Sequence, residues 1–113
     1  MGDASEHLDL SALAELKSIM GDEYSLLVET FVNDSTQRLK TIGEAVASGD
    51  PESIRSSTHS FKGSAANMGA RRLSLICKTL EDLAATGEVN GCEQLLGEMH
   101  AEYLMVSRAL VEV

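Results

Sequence analysis

The sequence predicts an all-α protein, an antiparallel up-down-up-down four-helix bundle with a short additional N-terminal helix. The first observation is that 43% of the 113 residues are apolar while only 4% are aromatic, with no Trp. A core of aliphatic side chains and Met favours helices packed on helices over a β-sandwich. The second is the presence of a single proline. The third is a rhythm of apolar residues at spacings of three and four, broken by glycines into five segments. This length suits one domain with one modest core.

The first part of the chain is expected to be a tail followed by the short additional helix. Residues 1–8 are mostly small and polar, so we expect a flexible N-terminal tail in which His7 has no role. Residues 9–113 are expected to form a single helical bundle domain. Its first helix should run from about Asp9 to Met20, with Asp9 or Ser11 as the N-cap and Gly21 as the terminator.

The second and third segments each show helical periodicity. The second should run from about Asp22 to Ser48, with one polar break in its buried stripe at Ser35. The third opens with Asp50 and Pro51, an N-cap followed by proline at the first helical position, which is a strong start signal. Gly69 should end it. The two stripes are, in turn, Tyr24, Val28, Phe31, Leu39, Ile42 and Val46, and Ile54, Thr58, Phe61, Ala65 and Met68.

The fourth and fifth segments complete the bundle. The fourth should run from Ala70 to about Thr86 and the fifth from about Asn90 to the end of the chain. The connections are short, so neighbouring helices must be antiparallel. The expected stripes are Leu73, Ile76, Leu80 and Leu83 in the fourth segment, and Cys92, Leu96, Met99, Tyr103, Val106, Leu110 and Val113 in the fifth.

Charge and cysteine usage limit the classes of partner. The formal net charge of −9 disfavours binding to nucleic acid and to anionic membranes. Cys77 and Cys92 have no CxxC spacing and no histidine at ligand spacing, so they are interpreted as small apolar residues in a reducing compartment. No run approaches the roughly 18 apolar residues of a membrane span. There is no basic region followed by an apolar core, so a cytoplasmic location is expected.

The stretch THSFKGSAANMGA, residues 58–70, is the most informative part of the sequence. His59 follows Thr58 of the buried stripe, so it lies about 100° round the helix, at the edge of that stripe. Arg55, Lys62 and Gly63 share its face. Glycine destabilises a helix interior by about 1 kcal/mol relative to alanine. Gly63 therefore lowers helix stability, and its missing side chain leaves room beside the imidazole. Two flanking cations in an acidic protein indicate that an anion is expected there.

Phosphate is the anion most naturally paired with a histidine. One nitrogen of a neutral imidazole can attack phosphorus while the other keeps its proton. That proton needs an acceptor, and Glu81 on the fourth segment is a candidate, because it follows Leu80 of the stripe as His59 follows Thr58. Lys78 lies one turn earlier. From spacing alone, Glu81 and Lys78 are about as well interpreted as solvated helix side chains.

The chain has no sequence signature of a nucleotide site. It has no glycine-rich phosphate loop and no aspartate cluster, so neither kinase nor hydrolase activity is expected. His59 must then receive phosphate from one protein and pass it to another. Phosphoryl transfer needs positioning and charge neutralisation more than covalent chemistry. We expect no cofactor and no metal site in this chain, and we expect an acidic partner to supply Mg²⁺, because the sequence shows no clustered site for this ion.

The run from His59 through Lys62-Gly63-Ser64 to Gly69-Ala70 resembles the histidine-containing phosphotransfer (HPt) domain of multistep two-component phosphorelays. The resemblance extends over roughly residues 10–112. It implies that His59 is the phosphoacceptor, that Lys62 stabilises the phosphoryl group and that Gly63 leaves room for it.

The family also implies how such a protein is used. The position of Glu81 is often a polar side chain that bonds the second nitrogen of the histidine. The donor would be the receiver domain of a hybrid sensor kinase and the acceptor that of a response regulator, docked on apolar surface around the histidine. Thr58 and Phe61 stand where Ala and Leu are frequent, both on the buried side. A monomer is expected, since one chain has enough helices for a bundle.

Three alternatives to the phosphate carrier make different demands on the sequence. A binding-only helical module that sequesters a signalling partner would not need His59. An enzyme using His59 as a general base would need a companion nucleophile or oxyanion donors, and none is evident. A sensor-kinase dimerisation helix pair has an acidic residue after its histidine and a proline further on, whereas here Ser60 follows and Pro51 precedes. His100 is interpreted as a surface histidine.

Overall fold

The structure is a computed structural model that describes residues 4–112, and across that range its regular secondary structure is all helical. A 3₁₀ turn, Ala4–Glu6, precedes five helices: α1, Leu10–Met20; α2, Glu23–Ser48; α3, Pro51–Asn67; α4, Arg71–Ala85; and α5, Cys92–Glu112. Helix α3 packs against α2 and α4, and α5 packs against α4 and α2, so α3 and α5 lie on one diagonal of the bundle. Helix α1 covers α2. The predicted fold class is confirmed.

Local signals in the sequence set the ends of the helices. The carboxylate of Asp50 accepts the Glu52 N–H, and Pro51 occupies the first helical position of α3. Asp9 caps α1 by accepting the Ala12 N–H at 3.0 Å. Gly69, between α3 and α4, has a φ of +71°, and an added Cβ would lie 3.3 Å from the Cβ of Asp9. The turn that joins α3 to α4 therefore needs glycine both for its backbone conformation and for its close approach to α1.

The core follows the predicted stripes, with the largest shift in α4 and smaller departures at Val28, Val46 and Leu96, which are only half-buried. All five residues of the third predicted stripe are buried, four of them in α3 and Met68 directly after it; Phe61, Ile54 and Ala65 are fully inaccessible. In α4 the structure buries Cys77 and Ala84 together with Leu73 and Leu80, whereas Ile76 and Leu83 are only half-buried. The reason is that α4 faces both α3 and α5, so its most buried line lies between the two neighbours. The predicted core residue Val113 lies outside the described residues.

The segment before α1 differs from the expected flexible tail. Leu8 is buried, with 1% of its surface exposed. His7 is also buried, and its Nδ1 lies 2.7 Å from Oε2 of Glu102 on α5. The Asp9 N–H donates to the Gly69 carbonyl at 2.8 Å. Within the described range, residues 4–8 thus form a packed strap from α1 to α5, because an apolar side chain and a buried carboxylate both find partners there. Residues 1–3 of the expected tail lie outside the described residues.

Among residues 4–112, no helix is long and apolar enough to cross a membrane. Both cysteines are buried and unpaired.

Candidate functional site

The site is a row of three side chains on the outer surface of α3 and α4, joined by one hydrogen bond and one ion pair. His59 stands on α3 with 62% of its side chain exposed, and its Nδ1 lies 2.7 Å from Oε2 of Glu81 on α4. The other oxygen of Glu81, Oε1, lies 2.8 Å from Nζ of Lys62, one turn along α3 from the histidine. Only 13% of the Glu81 side chain is exposed. The carboxylate therefore bridges the two functional candidates on α3.

The charge state of Glu81 determines which nitrogen of His59 carries the proton. Burial raises the pKa of Glu81, but hydrogen bonds from Lys62 and His59 outweigh burial and hold that pKa below its usual value. An ionised carboxylate can only accept hydrogen bonds, so Nδ1 of His59 must be the donor. The neutral ring then keeps its free lone pair on Nε2.

Gly63 leaves open space on the face that His59 occupies. A Cβ built at this position meets nothing within 4 Å apart from its own helix. Packing inside the protein therefore does not require glycine here, unlike at Gly69. The residue that lies one turn beyond the imidazole has no side chain, and this keeps the approach to the ring open to another molecule.

Arg55 and Lys78 lie beside the site without bonding to it. The Arg55 guanidinium is held by Glu52, with Nη2 at 2.5 Å from Oε1, and this carboxylate raises the pKa of Arg55. Nζ of Lys78 lies 3.0 Å from Asp82 on the same helix. Each cation is thus held by a neighbour on its own helix and is available for longer-range electrostatic effects.

One cation was not among the predicted site residues. Nη1 of Arg38, on α2, donates to Oγ of Ser60, the residue next to His59. Nε of Arg38 donates to Asp34 at 2.6 Å. The sequence does indicate that Arg38 lies at the edge of the α2 stripe, because it directly precedes the buried Leu39. Its pairing with Ser60 depends on the register between α2 and α3, which the periodicity does not give.

Cys77 lies beneath the site and is not a competing nucleophile. Burial raises the pKa of its thiol to about 12, and the negative charge of Glu81 contributes in the same direction. The thiol therefore stays protonated at neutral pH and is unreactive. His59 is left as the exposed nucleophile of this surface.

The fold and the site together define a class of protein. It is a helical bundle that presents one exposed imidazole with a fixed tautomer, a neighbouring lysine and an open glycine face. Within the part of the chain that the structure describes, no group of three or more His, Cys, Asp or Glu side chains is placed to hold a metal ion. The geometry suits an imidazole that reacts with a group brought to the surface by another molecule.

Comparison with known families agrees with this class. Residues 26–109 match the family model of the Hpt domain, and the chain therefore belongs to the Hpt family. The chain also resembles the crystal structure of histidine-containing phosphotransfer protein B from Pseudomonas aeruginosa PAO1, with 40% identity and a TM-score of 0.91. That match covers 94% of this chain and 92% of the Pseudomonas chain.

Plant relatives extend the comparison. The fold matches the histidine-containing phosphotransfer protein ZmHP2 from maize with a TM-score of 0.85 at 19% identity, covering 97% of this chain and 84% of that one. Histidine-containing phosphotransfer protein 5 of Arabidopsis thaliana is 27% identical over 89% of this chain, which spans only 59% of the Arabidopsis protein. Protein 4 of the same plant is 26% identical, over 85% of this chain and 80% of that protein.

Proposed function

We propose that this protein is a phosphorelay intermediate that carries a phosphoryl group on His59. The observation that carries the proposal is the contact between Nδ1 of His59 and Oε2 of Glu81 on a ring that is 62% exposed. This contact fixes the proton on the inner nitrogen and leaves Nε2 as the nucleophile. Membership of the Hpt family supports the same activity.

The transfer step balances without any loss of a proton from this chain. Nε2 of His59 attacks the phosphorus of an aspartyl phosphate on the donor. The new N–P bond forms as the P–O bond to the aspartate breaks, and the aspartate leaves as a carboxylate. Nε2 carries no proton before the attack. The proton on Nδ1 stays on the ring throughout, hydrogen-bonded to the carboxylate of Glu81. The reverse reaction delivers the phosphoryl group to the acceptor aspartate.

Lys62 is proposed to neutralise charge on the phosphoryl group. Its Nζ is already within 2.8 Å of Glu81, and its side chain is 28% exposed, so the ammonium can reach outward when a dianionic group arrives beside the ring. Charge-assisted hydrogen bonds of this kind are about twice as strong as neutral ones. Gly63 supplies the room for the incoming group.

The partners proposed are two receiver domains. The donor is the receiver domain of a hybrid sensor histidine kinase, and the acceptor is the receiver domain of a response regulator. We assign the Mg²⁺ of the transfer step to the receiver, because both oxygens of Glu81 are already bonded to Lys62 and His59. The protein would act as a carrier without an ATP site, with neither kinase nor hydrolase activity. It would be a monomer in the cytoplasm, where its two free thiols would stay reduced.

The test is a transfer assay with a matched histidine control. The protein is incubated with a radiolabelled, phosphorylated receiver-bearing kinase from the same organism, beside His59→Gln and His100→Gln variants. His100 is exposed on α5, away from the site. We expect label on the wild type and on His100→Gln, and none on His59→Gln. The label should be labile in acid and stable in base, as expected for phosphohistidine.

A binding-only module would take up no label in this assay. Label on none of the three proteins, with several donors tried and folding verified by circular dichroism, would refute the carrier function. Receiver binding by both the wild type and His59→Gln would then favour sequestration. Equal labelling of the wild type and His59→Gln would place the phosphoacceptor elsewhere.

A further inference from the structure

The basic residues of this acidic chain are unevenly distributed. Residues 53–80 hold five basic side chains and no carboxylate, whereas the rest of the chain holds all 18 carboxylates and four basic side chains. This stretch begins in the first turn of α3 and ends in α4 at Leu80. The α3–α4 hairpin is therefore a locally positive region on a protein whose formal net charge is −9.

Three of the five basic residues line one groove. A shallow groove of about 280 Å³ runs between α3 and α4, and its walls include Lys62, Arg71 and Lys78. Leu75, also on its wall, has 63% of its surface exposed. Ala66 and Ser74 complete the lining, and Oγ of Ser74 is turned toward the Lys62 carbonyl. The groove thus combines positive charge with one exposed aliphatic side chain.

The groove is continuous with the histidine site. Lys62 is shared by both, since its Nζ contacts the same carboxylate that contacts His59. Asp82, which pairs with Lys78, has 64% of its side chain exposed, so water screens this pair and little binding energy is fixed in it. A partner carboxylate could therefore replace Asp82 at low cost. A partner that is docked over His59 and extends along α3 past Lys62 therefore reaches the groove.

We propose that this basic groove, formed by Lys62, Ala66, Arg71, Ser74, Leu75 and Lys78, docks the acidic rim of the receiver domain that exchanges phosphate with His59. The inference rests on the proposed function. A receiver that carries an acceptor aspartate and the carboxylates that hold Mg²⁺ presents a negative face at its phosphorylation site. This chain would repel such a face with most of its surface, and the groove beside His59 is where the charge is complementary. Leu75 supplies an apolar contact inside the charged rim.

Electrostatic docking makes a kinetic prediction. Charges at the rim of an interface act mainly on the association rate and on its salt dependence, whereas the chemical step depends on the residues at the reacting atoms. The groove should therefore affect the transfer rate at low receiver concentration and leave the rate at saturation unchanged.

The test is a double charge reversal with a matched control. Arg71→Glu combined with Lys78→Glu reverses two groove charges, and Lys40→Glu combined with Arg108→Glu makes the same change in net charge on exposed positions of α2 and α5. Transfer is followed in a rapid-mixing assay against receiver concentration at several salt concentrations. We expect the groove variant to lower kcat/KM at low salt about tenfold or more, to flatten its salt dependence, and to keep kcat within about twofold. The control pair should stay within about threefold of the wild type.

Two further measurements separate this proposal from the proposed function. Binding of the unphosphorylated receiver to His59→Gln, measured by calorimetry, needs no transfer, and adding the groove reversal should weaken this binding about tenfold. Leu75→Ala should weaken it as well, with the salt dependence unchanged. Equal effects of the groove and control reversals on binding would overturn the docking proposal, and so would a groove variant that lowered kcat alone. Absence of transfer in the wild type, with receiver binding intact and groove-dependent, would instead overturn the carrier function.

Discussion

Glu81 shows how one carboxylate can organise the two residues on either side of it. It lies on α4 and reaches across to α3, where it accepts a hydrogen bond from Nδ1 of His59 at 2.7 Å and forms an ion pair with Nζ of Lys62 at 2.8 Å. These two donors hold its pKa below the usual value in spite of burial. In the proposed transfer step, this residue would act indirectly, by orienting the imidazole and by holding the lysine close to it. We therefore interpret Glu81 as a positioning residue.

Substituting Lys62 should affect transfer more than folding. In Lys62→Ala, a phosphoryl group on His59 would lose its nearest ammonium, and such a charge-assisted hydrogen bond is worth about 1.5–3 kcal/mol, or roughly 10- to 100-fold in rate. Transfer should slow by that factor while the circular dichroism spectrum stays unchanged. Lys40→Ala, an exposed lysine on α2, is the control. Unaltered transfer by Lys62→Ala would remove this lysine from the site.

Substituting Gly63 should raise the stability of the protein and abolish its transfer activity. In Gly63→Leu, the helix should gain up to about 1 kcal/mol in stability, since nothing within 4 Å obstructs a side chain and glycine is a poor helix former. The bulky side chain should nevertheless block the approach to His59 and abolish transfer. Thermal unfolding and the transfer assay measure the two effects.

Gly97 provides the matched control for this substitution. It is also a helical glycine with no atom within 4 Å of an added Cβ, but it lies on α5. Gly97→Leu should gain similar stability and transfer normally. Normal transfer by Gly63→Leu would show that the open face beside His59 is not needed for access.

At the scale of elements, the strap before α1 fastens two distant parts of the bundle. Its His7 contacts Glu102 on α5, and the following Asp9 N–H donates to Gly69 in the α3–α4 turn. Glu102 is a carboxylate with 8% of its side chain exposed, and His7 is its partner. A buried carboxylate is expensive unless it is paired, so the strap and α5 depend on each other.

Removing His7 should therefore destabilise the whole protein. His7→Ala leaves Glu102 buried without its partner, and breaking a buried pair in this way costs about 3 kcal/mol or more. Chemical denaturation should show this loss, and His100→Ala, on the exposed face of α5, should change stability by less than about 0.5 kcal/mol. Equal stability of the two variants would show that the strap contributes little. His7→Phe combined with Glu102→Leu should recover part of the loss, because an apolar pair needs no proton and no hydrogen bond.

At the scale of the whole molecule, the four long helices enclose one core within a single chain. Helices α2, α3, α4 and α5 close a ring of contacts, and α1 covers α2, so no partner helix from a second chain is needed to complete the bundle. The Cα atoms have a radius of gyration of 14.3 Å. The surface charge is arranged at this scale too, with the positive hairpin beside His59 and carboxylates over the rest.

The protein should accordingly be a monomer in solution. Sedimentation equilibrium should give a mass close to 12.1 kDa across a wide concentration range, and X-ray scattering a radius of gyration only slightly above 14.3 Å. The high net charge opposes self-association as well. A mass that rises toward twice this value at micromolar concentration would contradict the prediction, and would indicate a dimer that the single-chain bundle does not require.

The sequence determined the features that local rules control. Asp50 with Pro51 set the start of α3, Gly69 set its turn, and the three/four rhythm selected Ile54, Phe61 and Ala65 as core. The grouping of His59, Lys62 and Gly63 on one face of α3 also followed from the sequence, because neighbours at three and four positions share a helix face whatever the tertiary structure.

Tertiary structure decided every pairing between elements. Spacing left Glu81 as either a partner of His59 or a solvated carboxylate, and only the register of α3 against α4 brought the two to 2.7 Å. The same holds for Arg38 with Ser60 and for His7 with Glu102, 95 positions apart. Helical periodicity fixes which face of each helix is buried but not how far one helix slides or turns against the next. That freedom is removed by packing, and packing is settled only when all the helices are present together.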